Sequence, residues 1–126
     1  MAATRAGLGW VGKSALLVTP EFGPAVRLTT VLTDAPLPVG QPVTESRCGQ
    51  CRACVECCPG AAPRGAAWRR GVGRDELLDV EACRRGVRDA SARRGLDVLV
   101  CGRCIAACPR AQAWLRRTGP LAGRGV

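Results

Sequence analysis

Nine cysteines are the residues of this 126-residue chain best suited to chemistry, and all of them lie between positions 48 and 108. The first run reads Cys48-Gly-Gln-Cys51-Arg-Ala-Cys54-Val-Glu-Cys57-Cys58-Pro59. Cys48, Cys51, Cys54 and Cys58 give Cys-x2-Cys-x2-Cys-x3-Cys-Pro, the spacing that holds four-iron clusters. Two-residue gaps let one tight loop present three thiolates to three corners of a cubane. Cys58 stands one helical turn beyond Cys54 and is turned toward a second cluster. The proline after it ends that turn, because it cannot donate the next helical hydrogen bond.

The second run, Cys101-Gly-Arg-Cys104-Ile-Ala-Ala-Cys108-Pro109, has valine at position 98 where a first cysteine would stand. Cys83, upstream, closes the count. Cluster 1 is then expected on Cys48, Cys51, Cys54 and Cys108, and cluster 2 on Cys58, Cys83, Cys101 and Cys104. The exchange of Cys58 and Cys108 between sites follows the two-cluster rule. Cys57 reads as a small buried residue, the alternative being a ligand or redox-active thiol. The rival metal is zinc, held by Cys48, Cys51, Cys101 and Cys104 in a zinc-binding interaction module. Zinc leaves Cys54, Cys58, Cys83, Cys108 and both Cys-Pro junctions without a role.

The elements that must position these thiols fall into three segments: 1–36, 37–118 and 119–126. Ala15–Thr19 and the β-branched stretch Ala25–Leu32, with Phe22-Gly23-Pro24 between them, read as a strand pair. A proline-marked connection occupies 35–47. Pro59 to Gly73 reads as loop. Asp79 is placed to cap a helix running to about Arg94, with Val80, Cys83, Val87 and Ala90 as its apolar stripe. Ala111–Arg117 reads as a last helix, and 119–126 as a flexible tail. The expected fold class is α+β: a small strand pair followed by a helical bacterial 2×4Fe-4S ferredoxin-like domain.

Composition narrows the chemistry further. The chain has no histidine, which excludes His-held haem, Rieske clusters, His-bearing zinc sites and His-based acid–base catalysis. No catalytic residue is assigned. No stretch of about 18 apolar residues and no secretory signal is present, so a cytoplasmic chain without a membrane role is expected, and close cysteines there point to metal before disulfides. The formal charge is +9. Two oxidised clusters would bring it to about +5. Eighteen arginines against one lysine also fit a GC-rich coding bias.

Gly7-Leu-Gly-Trp-Val-Gly-Lys13-Ser14 satisfies the written pattern of a phosphate-binding loop. Its context does not: only six residues precede Gly7, and Pro20 interrupts the chain after Ser14 too early for a helix. Taken with Arg5-Ala-Gly-Leu-Gly-Trp-Val-Gly-Lys13, Leu17-Val-Thr-Pro-Glu-Phe-Gly23, Leu32-Thr-Asp34 and the paired cysteine runs, the chain resembles epoxyqueuosine reductase and its shorter relatives. That resemblance implies two 4Fe-4S clusters that pass single electrons to a cobalamin, and a role in queuosine formation on tRNA. It also implies that Lys13 lines the corrinoid pocket and that 1–36 is the C-terminal remnant of a corrinoid-binding domain. Most of the corrinoid domain, its acidic residue and the tRNA-binding repeats of longer members have no counterpart here. The expectation is therefore an electron-transfer module, not a complete enzyme alone. Its expected partner is a redox protein or a separate corrinoid-domain chain, with tRNA implied by the resemblance only.

Overall fold

The computed structural model describes residues 2–97 and 99–119. Its elements run α1 (Ala2–Arg5), β1 (Trp10–Val11), β2 (Leu17–Val18), α2 (Ala53–Glu56), α3 (Arg74–Leu77), α4 (Val80–Ala92), α5 (Arg103–Ala106) and α6 (Pro109–Thr118). The class is α+β. β1 and β2 pair antiparallel, with Trp10 opposite Val18 and Val11 opposite Leu17. All four residues are buried. The segment expected to be a tail, 119–126, lies outside the described residues from 120 onward.

The strand pair is therefore a different one from that expected. Leu17–Val18 is a strand, but its partner is Trp10–Val11, and Ala25–Leu32 forms no strand. β-Branching gives 25–32 the propensity, but most of that stretch is exposed and has no packed surface to lie on, and propensity yields to packing. The glycine motif thus supplies β1 and, with Gly12, Lys13 and Ser14, the start of the β1–β2 hairpin connection. Gly12 N–H donates to Leu16 O at 2.8 Å, and Ala15 N–H to Gly12 O at 2.9 Å. No helix follows Ser14, so the phosphate-loop geometry is absent there.

α4 begins where its capping residue predicts. Asp79 Oδ1 accepts from Ala82 N–H at 2.8 Å. Its buried face is not the expected stripe: Ala82, Gly86 and Ser91 are buried, whereas Cys83, Val87 and Ala90 are half-buried and Val80 is exposed. The reason is a close backbone approach. A Cβ on Gly86 would stand 2.7 Å from Gly60 Cα, and one on Gly60 would stand 2.3 Å from Ala82 O. The chain after Pro59 lies directly on α4, which only two hydrogen side chains permit. A small core of Ala62, Leu78 and Ala82 grows around this contact, with Cys58, Cys83 and Ala15 packed on it.

Residues 59–73 form the loop expected of them, tied down by bridges of Glu45 to Arg69 and Pro63 to Leu78. The short helix α3 is an addition to the expected elements. α6 starts two residues before the expected Ala111, because Pro109 suits the first helical position.

Candidate metal centre

The two cysteine runs build the same local structure twice. In the first, α2 starts two residues after Cys51 and Cys57 N–H closes it on Ala53 O at 3.1 Å. In the second, α5 starts two residues after Cys101 and Ala107 N–H closes it on Arg103 O at 2.9 Å. Each turn delivers a cysteine, Cys58 or Cys108, just ahead of a proline. α2 and α5 pack against each other. This brings Cys54 and Cys104 into electrostatic contact.

Cys48, Cys51, Cys54 and Cys108 line one small, almost wholly apolar cavity of about 30 Å³. Gly12, Lys13 and Ser14 of the hairpin connection close its other side, and Cys104 also reaches its wall. The structure thus brings the four thiols expected for cluster 1 around a common space. Cys83 feels the charge of Cys58 and Cys101, and Cys104 that of Cys57, Cys101 and Cys83. Cys58, Cys83, Cys101 and Cys104 thus lie within electrostatic reach of one another, as does Cys57. No two of the nine cysteines are joined in a disulfide. Among the described residues, no three His, Cys, Asp or Glu side chains stand close enough together to hold a single metal ion.

Burial pushes the Cys54 thiol up to about 11, helped by the neighbouring Cys48, Cys104 and Cys51. Cys83, Cys104 and Cys57 are raised as well, first by burial and then by other thiols. Cys48 is the exception. Burial pushes it up, but bonds from Ser46 and Trp10 and the nearby Lys13 outweigh that and leave it lowered. Trp10 Nε1–H donates to Cys48 Sγ at 3.4 Å, and Lys13 Nζ donates to Gly49 O at 2.8 Å. Clustered thiols that resist ionisation alone become favourable ligands once cationic iron compensates their charge. The donor set, thiolates around an apolar cavity, fits iron–sulfur chemistry.

Lys13 is 7% exposed and its ammonium is bound to the cysteine loop. It does not line the cavity of about 540 Å³ that is walled by Val11, Leu16, Leu17, Val26, Trp68 and Ile105 among others. Lys13 instead lines the small cavity walled by Cys48, Cys51, Cys54 and Cys108. Trp10 is the contributor that sequence reasoning misses. It sits 38 positions from Cys48, and its only local signal is its place beside the glycines.

Fold and thiols together define an α+β chain with cysteine groups arranged about a helix pair. The particular likeness is to epoxyqueuosine reductase. No family model matches the chain. It is 47% identical over 58 residues to the epoxyqueuosine reductase of Bacillus anthracis, covering 46% of this chain and 15% of that protein. With the Escherichia coli enzyme the identity is 50% over 60 residues, covering 48% and 16%. A crystal structure of selenomethionine-labelled epoxyqueuosine reductase superposes with a TM-score of 0.60 at 26% identity, over 87% of this chain and 29% of that one. A structure from Bacillus subtilis gives the same values. The chain spans about 15% of the curated relatives' length. No helix among the described residues is long and apolar enough to cross a membrane.

Proposed function

We propose that this chain is an iron–sulfur electron-transfer module related to the cluster region of epoxyqueuosine reductase. Residues 37–118 form a bacterial ferredoxin-like domain for two 4Fe-4S clusters, and 1–36 is the remnant of a corrinoid-binding domain. Cys48, Cys51, Cys54 and Cys108 hold the first cluster, and Cys58, Cys83, Cys101 and Cys104 the second. The observation that carries this reading is the duplicated helix–Cys-Pro unit, whose two halves face thiols toward a shared centre. Each cluster, when bound, takes up and releases one electron at a time. The chain's own residues fix the thiolates and keep the two centres adjacent through α2 and α5.

Electrons would pass on to a corrinoid or to a partner reductase, in the cytoplasm. In a second reading, favoured by the names of the relatives, the chain contributes to an oxidoreductase acting on tRNA in queuosine formation. Lys13 toward a corrinoid rests on the resemblance of its glycine motif to that of epoxyqueuosine reductase, and no step is assigned to it. Anaerobic purification tests the main reading. The expected sample is brown, with about eight iron and matching sulfide per chain, and is paramagnetic after dithionite. A colourless, zinc-loaded protein overturns it. Cobalamin titration of the same sample tests the corrinoid, and absence of binding at high excess removes Lys13 from that role.

A further inference from the structure

We propose that Trp10 and Lys13 set the reduction potential of the centre held by Cys48, so that the β1–β2 hairpin decides where a transferred electron rests. The proposal builds on the two-cluster reading. Trp10 is 1% exposed, and its indole N–H is directed at Cys48 Sγ. The guanidinium groups of Arg110 and Arg47 lie over its ring, 4.8 and 5.9 Å from the centroid. They hold the ring plane and add positive charge. Gly12 lets the hairpin settle on the sulfur: a Cβ there would meet Val18 Cγ2 at 2.6 Å and Cys48 Sγ at 3.6 Å. The same connection carries Lys13, buried and bound to Gly49 O, the residue next to Cys48.

Reduction adds one negative charge to a cluster. Hydrogen bonds to a ligand sulfur and a buried cation nearby both favour that added charge and raise the potential. Around the second thiol group the corresponding donor is a backbone one, the N–H of Ala62, 3.4 Å from Cys58 Sγ. Arg74 and Arg103 act on Cys83 and Cys57, but both are exposed and screened by solvent. The hairpin thus makes the Cys48 centre the more oxidising one. Trp10 and Lys13 are positioning residues for electron flow and touch no substrate.

The test is a mediated redox titration of the full-length, cluster-loaded chain, followed by paramagnetic resonance. It compares the unaltered protein with Trp10→Phe, Lys13→Met and Lys13→Arg. The centre concerned is identified as the one lost in Cys51→Ser. Trp10→Phe and Lys13→Met are expected to lower its midpoint, leave the other midpoint in place and keep iron per chain unchanged. Lys13→Arg is expected to restore it. Unchanged midpoints, an equal shift of both centres, or iron loss from these conservative variants overturns the proposal in favour of a packing role. An unaltered protein without two iron centres overturns the underlying reading instead, a distinct result.

Discussion

Cys108 bears the greatest consequence of any single side chain. It closes the second cysteine run, yet it lines the same wall as Cys48, Cys51 and Cys54 of the first. If the thiolates pair crosswise, Cys108→Ser removes one centre and leaves the other. Iron is then expected to fall from about eight to about four per chain, read by iron and sulfide analysis. Cys57→Ala is the contrasting change. That thiol is half-buried, and its contact to Cys54 O is a long 3.7 Å. It is expected to keep about eight iron per chain. Retention of both centres in Cys108→Ser would remove the crosswise assignment. Loss of a centre in Cys57→Ala would move Cys57 into the ligand set, in place of the neighbour that precedes Pro59.

At the scale of elements, the seat of α4 on the Gly60 backbone governs where Cys83 stands. Gly86→Ala drives a methyl to 2.7 Å from Gly60 Cα and N, a clash with backbone that no rotamer relieves. The expected cost is about 1–3 kcal/mol, measured by urea unfolding, with weakening of one paramagnetic signal only. The helix start carries a pH signature. The Ala82 N–H bond, with Arg64 and Arg85 nearby, holds the Asp79 carboxyl below its ordinary value. A depressed folded-state value means the contribution is fully present above the ordinary carboxylate range and disappears as pH falls through the lowered value. The stability difference between the unaltered protein and Asp79→Asn should therefore narrow on acidification, followed by unfolding at stepped pH. α4 is legible in the sequence because its signals are local: an Asp cap and helical spacing. The cysteine spacing is legible for the same reason. β1 is not, since a two-residue strand carries no periodicity, and the β-branched stretch that competes for its place finds no surface to pack on. Nor is the Trp10–Cys48 contact, whose two ends share no local pattern. The buried stripe of α4 differs from its apolar spacing because Gly60, not a side chain, covers it.

Over the whole molecule, the described residues join end to end with little apolar mass. Phe22 meets Trp114 edge-on with centroids 5.8 Å apart, and Arg117 donates to Glu21 O at 3.3 Å across 96 positions. Gly23 lies so close to α6 that a Cβ there would stand 2.7 Å from Ala111 N. Yet of the large side chains among the described residues, only Trp10 and Leu77 are almost fully buried, while Leu28, Val31, Leu32, Leu37 and Val39 face solvent. A core of that size gives a chain little margin, and metal–thiolate bonds then contribute directly to folding. Because the hairpin is bonded to the cysteine loop through Trp10 and Lys13, it should lose its structure together with the metal. Anaerobic chelation of iron is therefore expected to abolish amide protection at Trp10 and Val18 in step with α2 and α5, and to shift the tryptophan emission to the red. Hydrogen exchange before and after chelation decides the matter. A hairpin that stays protected once the iron is gone would be folding on its own, and the segment 1–36 would then be a separate unit, not part of the cluster scaffold.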